Sequence, residues 1–173
     1  MLKLIVFLGN YSPAYRKTRH NTGMMLCDRI KDSGLFPGNW QTKFHSQFCR
    51  NPQAVLLFPQ TFMNESGIPV REASAFFGIR PQDILVVHDD IELPFGTVRI
   101  QTGGGMGGHN GLRSVRQHLG TDGFSRIRIG VGRPPSGVQV ADFVLSRFSP
   151  LEEGLLEKPI EDAAKMVMDI MGM

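Results

Sequence analysis

The sequence predicts an α/β fold: a single domain with a twisted, mixed, mostly parallel sheet flanked by helices. Three observations carry that expectation. Residues 4–8 (LIVFL) and 84–87 (ILVV) are apolar without a break, as strands covered on both faces are. Stretches with apolar residues at helical spacing separate the strand-like runs, and that alternation favours a layered sheet-and-helix architecture. The chain has 173 residues, 41% of them hydrophobic, enough for one domain with its own core over residues 1–173.

Residues 2–8 form the first strand. Residues 22–31 read as a helix with Met24, Met25, Leu26, Cys27 and Ile30 on its apolar side. Pro37 and Gly38 make residues 35–40 a loop. Residues 43–50 and 54–58 read as neighbouring strands around a turn at Asn51-Pro52. Residues 65–77 read as a helix closed by Gly78 in the left-handed conformation. Residues 83–88 form the second fully apolar strand, and residues 96–102 a strand of alternating character. Residues 111–119 form a short helix ending at Gly120. Residues 125–131 alternate, with Ile127 and Ile129 inward and Arg126 and Arg128 outward, as a half-buried strand should. Residues 138–145 read as a helix, and residues 150–171 as a C-terminal helix that Pro159 kinks or breaks. No internal repeat or interdomain linker interrupts the pattern.

Cys27 and Cys49 sit in apolar surroundings without metal-ligand spacing. They read as buried thiols of a reducing compartment. No apolar run approaches the length of a membrane span, and the N-terminus reads as a strand rather than a cleavable leader. A cytoplasmic location with no membrane partner is expected. The net charge is only +3, but the cations cluster: Arg16, Lys17 and Arg19; Arg113 and Arg116, with His118; Arg126, Arg128 and Arg133. Such clusters can supply phosphate contacts; the alternative is a solvated surface.

The most informative segment is Thr18-Arg19-His20-Asn21. A histidine just past the first buried strand is well placed to move protons in a cleft, and a satisfied structural histidine is the alternative. Apolar or strand-like runs end in an amide at Asn10, Asn64 and Asn110. Together they suggest one base among neutral hydrogen-bond groups, although asparagine is also common in turns. Asp89 lies where a buried strand meets its loop, a functional position in open α/β sheets or a simple cap. Gly103, Gly105 and Gly108 match a dinucleotide fingerprint in spacing only, because the next strand ends without an acidic residue to hold a ribose. No Gly-Lys-Ser/Thr ending of a phosphate loop follows. A substrate-binding loop leading into a helix N-terminus is the expected role of the glycine run. His88, Asp89, Asp90 and Glu92 alternate across a strand and cannot converge on a metal. No Gly-x-Ser-x-Gly elbow occurs. No cofactor is expected.

Six ordered motifs resemble bacterial peptidyl-tRNA hydrolases. They are Leu8-Gly9-Asn10, residues 18–23 (TRHNTG), 61–67 (TFMNESG), 88–96 (HDDIELPFG), the glycine run through Leu112, and 126–132 (RIRIGVG). The resemblance implies hydrolysis, without metal, of the ester joining a peptide to the terminal ribose of tRNA, recycling tRNA from aborted translation. It implies His20 as the base that activates water and Asp89 as the carboxylate that orients it. It also implies Asn10, Tyr15, Met63, Asn64 and Asn110 as substrate-binding residues and Arg128 as a tRNA phosphate contact. The expected partner is peptidyl-tRNA, met at its acceptor stem and 3′ end by a monomer.

Departures from the family pattern stand at Phe7 for a glycine, Tyr11-Ser12-Pro13 in the first loop, Gln101 for a basic residue and Asp90 for a glutamate. Phe7 and Tyr11 are expected to reshape the cleft floor. Gln101 and the short C-terminus are expected to weaken tRNA binding. Two other classes compete: an RNA-binding scaffold without hydrolysis, which would not need His20 and Asp89, and a small-molecule esterase, which would not need the arginine clusters.

Overall fold

The computed structural model describes residues 1–173 and arranges seven strands in one sheet. In chain order the elements are β1 (Lys3–Phe7), α1 (Thr22–Ser33), β2 (Gln41–Lys43), β3 (Ser46–Arg50), β4 (Ala54–Pro59), α2 (Gly67–Phe77), β5 (Ile84–Asp90), β6 (Val98–Thr102), α3 (Asn110–Leu119), β7 (Ser125–Gly130), α4 (Val140–Val144), α5 (Pro150–Leu155) and α6 (Glu157–Met171). The sheet order is β2-β3-β4-β1-β5-β7-β6. The central strands β4, β1, β5 and β7 are mutually parallel, while β3 and β6 run against them at the two sides. The outermost strand, β2, turns back antiparallel to β3. The sheet is therefore mixed and mostly parallel, as predicted.

Continuous apolar strands follow from coverage on both faces. Ile5 and Phe7 of β1 join a core of 22 buried residues shared with α1 and α6. Leu4, Val6 and Leu8 point the other way, into 17 residues shared with α2 and α3. The period-2 alternation of side chains thus feeds two hydrophobic layers from one strand. Burial pushes the Cys27 thiol pKa up to about 12, and both cysteines are free and buried.

Four expectations need correction. Residues 43–50 are not one strand. A two-residue turn at Phe44 and His45, with φ of 56° and 49°, folds β2 back on β3. Such a turn suits the strand twist but ordinarily takes asparagine or glycine; here Phe44 packs on Phe48, Phe76 and Phe77. Arg126 does not face solvent: it is 3% exposed, because the glycine run folds over that side of β7. Phe7, expected to reshape the cleft, is fully buried in the α1–α6 layer. The C-terminal helix is two helices, α5 and α6, meeting at Leu156. Pro159 sits in the first turn of α6, where its missing N–H leaves no helical bond unmade and its ring excludes a continuous helix.

Candidate active site

His20 sits in a single helical turn, Arg19–Asn21, between β1 and α1. Asn21 Nδ2 donates to the Asn10 carbonyl at 2.9 Å, and Asn21 Oδ1 accepts from the Asn10 amide at 2.9 Å. This reciprocal pair staples the turn to the end of β1. A Cβ at Gly23 would lie 2.6 Å from the Leu8 carbonyl and 2.8 Å from that of Val87, so only glycine lets α1 start this close to the strand ends.

Sequence clustering groups Arg19 with the phosphate-contacting cations, and the structure corrects this. Its side chain is buried beneath the turn. Nη1 donates to Ser146 Oγ and to the Arg147 carbonyl, both at 2.6 Å, and Nη2 pairs with Glu152 at 2.7 Å. Phe143 and Phe148 lie against the guanidinium at 4.2 and 5.3 Å. Arg19 is a strut between the His20 turn and the segment carrying α4 and α5.

His20 Nδ1 lies 2.9 and 3.0 Å from the two Asp89 carboxylate oxygens. A second histidine, which no sequence pattern singled out, shares that carboxylate: His109 Nε2 is 2.9 Å from Asp89 Oδ1. His109 also caps α3, its Nδ1 accepting from the Gly111 and Leu112 amides. Amides only donate, so Nδ1 is bare and Nε2 carries the proton given to Asp89. The signal for His109 is its position immediately before the α3 start, where capping side chains stand. Burial alone would raise the Asp89 pKa, but His20 and His109 outweigh it and hold the carboxyl well below the usual range. Burial opposes charge on His20, yet the Asp89 charge and hydrogen bond win, and its pKa is raised. With Nδ1 committed to Asp89, His20 offers Nε2 to the cleft.

Two cavities meet at His20. The smaller, about 220 Å³, is lined by Asn10, Tyr15, Met63, Asn64 and Asn110. The larger, about 490 Å³, is bordered by Asp89, Gln101, Arg126 and Arg128 and by the backbone of Gly105–Gly108. Asn110, Ala141 and Val144 belong to both. The structure therefore gathers all eight singled-out residues around one crevice, Arg128 on the larger-cavity side. Asn10 Oδ1 accepts from the Met63 amide at 2.7 Å, which fixes the orientation of the Asn10 carboxamide. Arg128 is braced: Nε donates to Asp90 Oδ2 at 2.7 Å and Nη1 to Gln101 Oε1 at 3.0 Å. Tyr11 lines neither cavity; it stands edge-on to Phe62 with ring centroids 5.4 Å apart.

The ligand atoms that converge are not those of His88, Asp90 and Glu92 but of His20, Asp89 and His109, within 4.8 Å of one another. His109 suits a metal poorly. Ligation through Nε2 would require Nδ1 to carry the proton, directly facing the two amides it now accepts from.

The family model described as peptidyl-tRNA hydrolase matches residues 4–172. The peptidyl-tRNA hydrolase of Sorangium cellulosum is 44% identical over 173 residues, covering 96% of this chain and 77% of that protein. That of Citrifermentans bemidjiense is 46% identical over 168 residues, covering 90% and 84%. The crystal structure of peptidyl-tRNA hydrolase from Acinetobacter baumannii superposes with a TM-score of 0.89 at 36% identity, covering 99% of this chain and 89% of that one.

Proposed function

The chain belongs to the peptidyl-tRNA hydrolase family of enzymes, and on that premise we propose that it cleaves the ester of peptidyl-tRNA with a water activated by His20, without a metal. The observation that carries the reading is the His20–Asp89 pair at the meeting point of two chemically different cavities. Asp89 keeps the proton on Nδ1, so Nε2 is the free base. Nε2 takes a proton from water as the oxygen attacks the ester carbonyl carbon. The imidazolium, stabilised by Asp89, returns the proton to the departing ribose oxygen as the tetrahedral intermediate collapses. Asn10 Nδ2 and the amides of Asn64 and Asn110 offer neutral donors to the developing oxyanion. Tyr15 and Met63 wall the peptide side. Arg128, braced by Asp90 and Gln101, presents its remaining N–H groups to a phosphate near the 3′ end. Phosphate contacts carry little sequence information, which suits an enzyme acting on the acceptor stem of many tRNAs. The products are free tRNA and the peptide, so the cellular role is recovery of tRNA from aborted translation, by a monomer in the cytoplasm.

The test is hydrolysis of N-acetylated aminoacyl-tRNA beside the same tRNA with a free amine, by wild type and His20→Ala. Release from the acetylated substrate alone, reduced at least about 10²-fold in the variant, is expected. Binding of tRNA without release would instead assign an RNA-binding scaffold.

A further inference from the structure

The mechanism leaves two aromatic rings beside the smaller cavity unused, Tyr11 and Phe62. Tyr11 is one of the departures from the family pattern. Two loops carry the rings: residues 10–11 follow β1, and residues 61–63 follow β4, the parallel neighbour of β1. Two hydrogen bonds hold the loops side by side. The Tyr11 amide donates to the Thr61 carbonyl at 3.2 Å, and Asn10 Oδ1 accepts from the Met63 amide at 2.7 Å. Phe62 lines the smaller cavity together with Asn10, Met63 and His20. Tyr11 stands against Phe62, outside the cavity, with ring planes 65° apart. Tyr11 is nevertheless 48% exposed and Phe62 50%. A single exposed apolar side chain is ordinary. Two adjoining rings, fixed by cross-linked loops and continuous with a catalytic cavity, mark a place where something binds.

The size of the cavity decides what reaches these rings. Its volume of about 220 Å³ falls below the roughly 300–1,000 Å³ of sites that enclose drug-sized ligands. In the proposed reaction it takes the residue whose ester His20 attacks, and little more. The rest of the peptide leaves over the rim. An extended chain advances about 3.3 Å per residue, so the residue before the esterified one is the first to meet the rim. The angle between the rings makes a corner rather than a slot. A corner presents the face of one ring and the edge of the other, the arrangement that a large apolar or aromatic side chain packs into. The RNA is drawn elsewhere, to Arg128, which borders the larger cavity and not this one.

We propose that Tyr11 and Phe62 form a rim subsite for the side chain of the residue preceding the esterified one, with Tyr11 setting a preference for large apolar groups there. The proposal rests on the peptidyl-tRNA reading and deepens it. It makes the enzyme grade its substrates by peptide sequence, although it is indifferent to tRNA sequence. A substrate carrying one acetylated residue stops short of the corner; a dipeptidyl substrate fills it.

The test varies only the residue at the rim. One tRNA is charged with alanine and capped in three ways, as N-acetyl-phenylalanyl-alanyl, N-acetyl-glycyl-alanyl and N-acetyl-alanyl esters. Wild type is compared with Tyr11→Ala, which removes the ring but keeps the amide that donates to Thr61. In wild type, kcat/KM is expected to be about 3- to 10-fold higher for the phenylalanyl than for the glycyl substrate, and in Tyr11→Ala that ratio is expected to collapse toward one. Equal kcat/KM for the two dipeptidyl substrates in wild type overturns the proposal while leaving the hydrolase reading intact. An equal fall for all three substrates in Tyr11→Ala, the signature of a ring that touches the RNA instead, overturns it too, as does a ratio that the variant leaves unchanged. Failure of wild type to cleave any of the three overturns the hydrolase reading and this inference with it. The wild-type comparison needs no variant, so a misfolded Tyr11→Ala does not rescue the idea.

Discussion

Replacing Asp89 by asparagine sets two histidines against one amide oxygen. In the wild-type site the carboxylate accepts from His20 Nδ1 at 2.9 Å and from His109 Nε2 at 2.9 Å. An amide oxygen in the Oδ1 position would lie within reach of both His109 Nε2 and His20 Nδ1, at 2.9 and 3.0 Å, but the NH₂ in the Oδ2 position would then stand 2.9 Å from His20 Nδ1 and set donor against donor. His109 cannot yield, because its Nδ1 must stay bare to cap α3. The amide oxygen in Asp89→Asn therefore turns to His109, and His20 meets a donor. Its proton then moves from Nδ1 to Nε2, and the base is lost. Losing the Asp89 charge and hydrogen bond that hold the His20 pKa up lowers its basicity. With the wrong tautomer added, kcat for N-acetyl-aminoacyl-tRNA should fall about 10³- to 10⁴-fold. His109→Asn changes that outcome. Asparagine is a good helix cap but too short to reach position 89, so in the double variant the amide oxygen there is free for His20. The Asp89→Asn penalty should then shrink to about 10²-fold, the charge effect alone. A double-mutant cycle on kcat measures this. Equal penalties in the two backgrounds, within a factor of about two, would refute the tautomer argument.

Acid should weaken the fold through His88. Its pKa of about 3 in the fold lies below the ordinary 6.5, so the unfolded chain gains a proton that the fold refuses. Stability from this group is complete above pH 6.5 and drains as pH falls toward 3, by up to about 1.4 kcal/mol per pH unit. His20, whose pKa is raised, acts in the opposite sense: its contribution is present below 6.5 and lost as pH rises through its folded pKa. Urea midpoints from pH 7 to 4 should decline less steeply in His88→Phe than in wild type, and parallel curves would count against a buried neutral His88. Arg19→Lys keeps the charge but not the fork that reaches Ser146, Arg147 and Glu152. It should lower stability by about 2–4 kcal/mol in urea unfolding, and a loss under about 0.5 kcal/mol, the scatter of ordinary surface substitutions, would show that the strut carries little.

The layered fold was legible because coverage of both faces writes itself as unbroken apolar strands at residues 4–8 and 84–87. The asparagine–histidine–aspartate set was legible through its motifs. What escaped depends on neighbours distant in the chain. Phe44 and His45 form a turn without turn residues because three phenylalanines hold Phe44 in place. Arg126 looks like an outward residue of an alternating strand until the glycine run is laid over it. The Arg19 role needs residues 146–152, which no local pattern connects to a cation beside His20. His109 hid inside the glycine run, where its partner, Asp89, is 20 residues away.

The Arg19 strut also sets an order of events. Its bonds to Ser146, Arg147 and Glu152 span 127, 128 and 133 residues, so closing them follows nearly complete synthesis and carries the entropy of a long loop. A growing chain that has reached Gly132 already contains His20, Asp89, Asn110 and both arginines of β7, yet it lacks the floor beneath the His20 turn. Such a chain would carry all of these residues without the contacts that brace the His20 turn. The last quarter of the sequence, which donates no hydrogen bond to His20 or Asp89, thereby decides when the site comes into being.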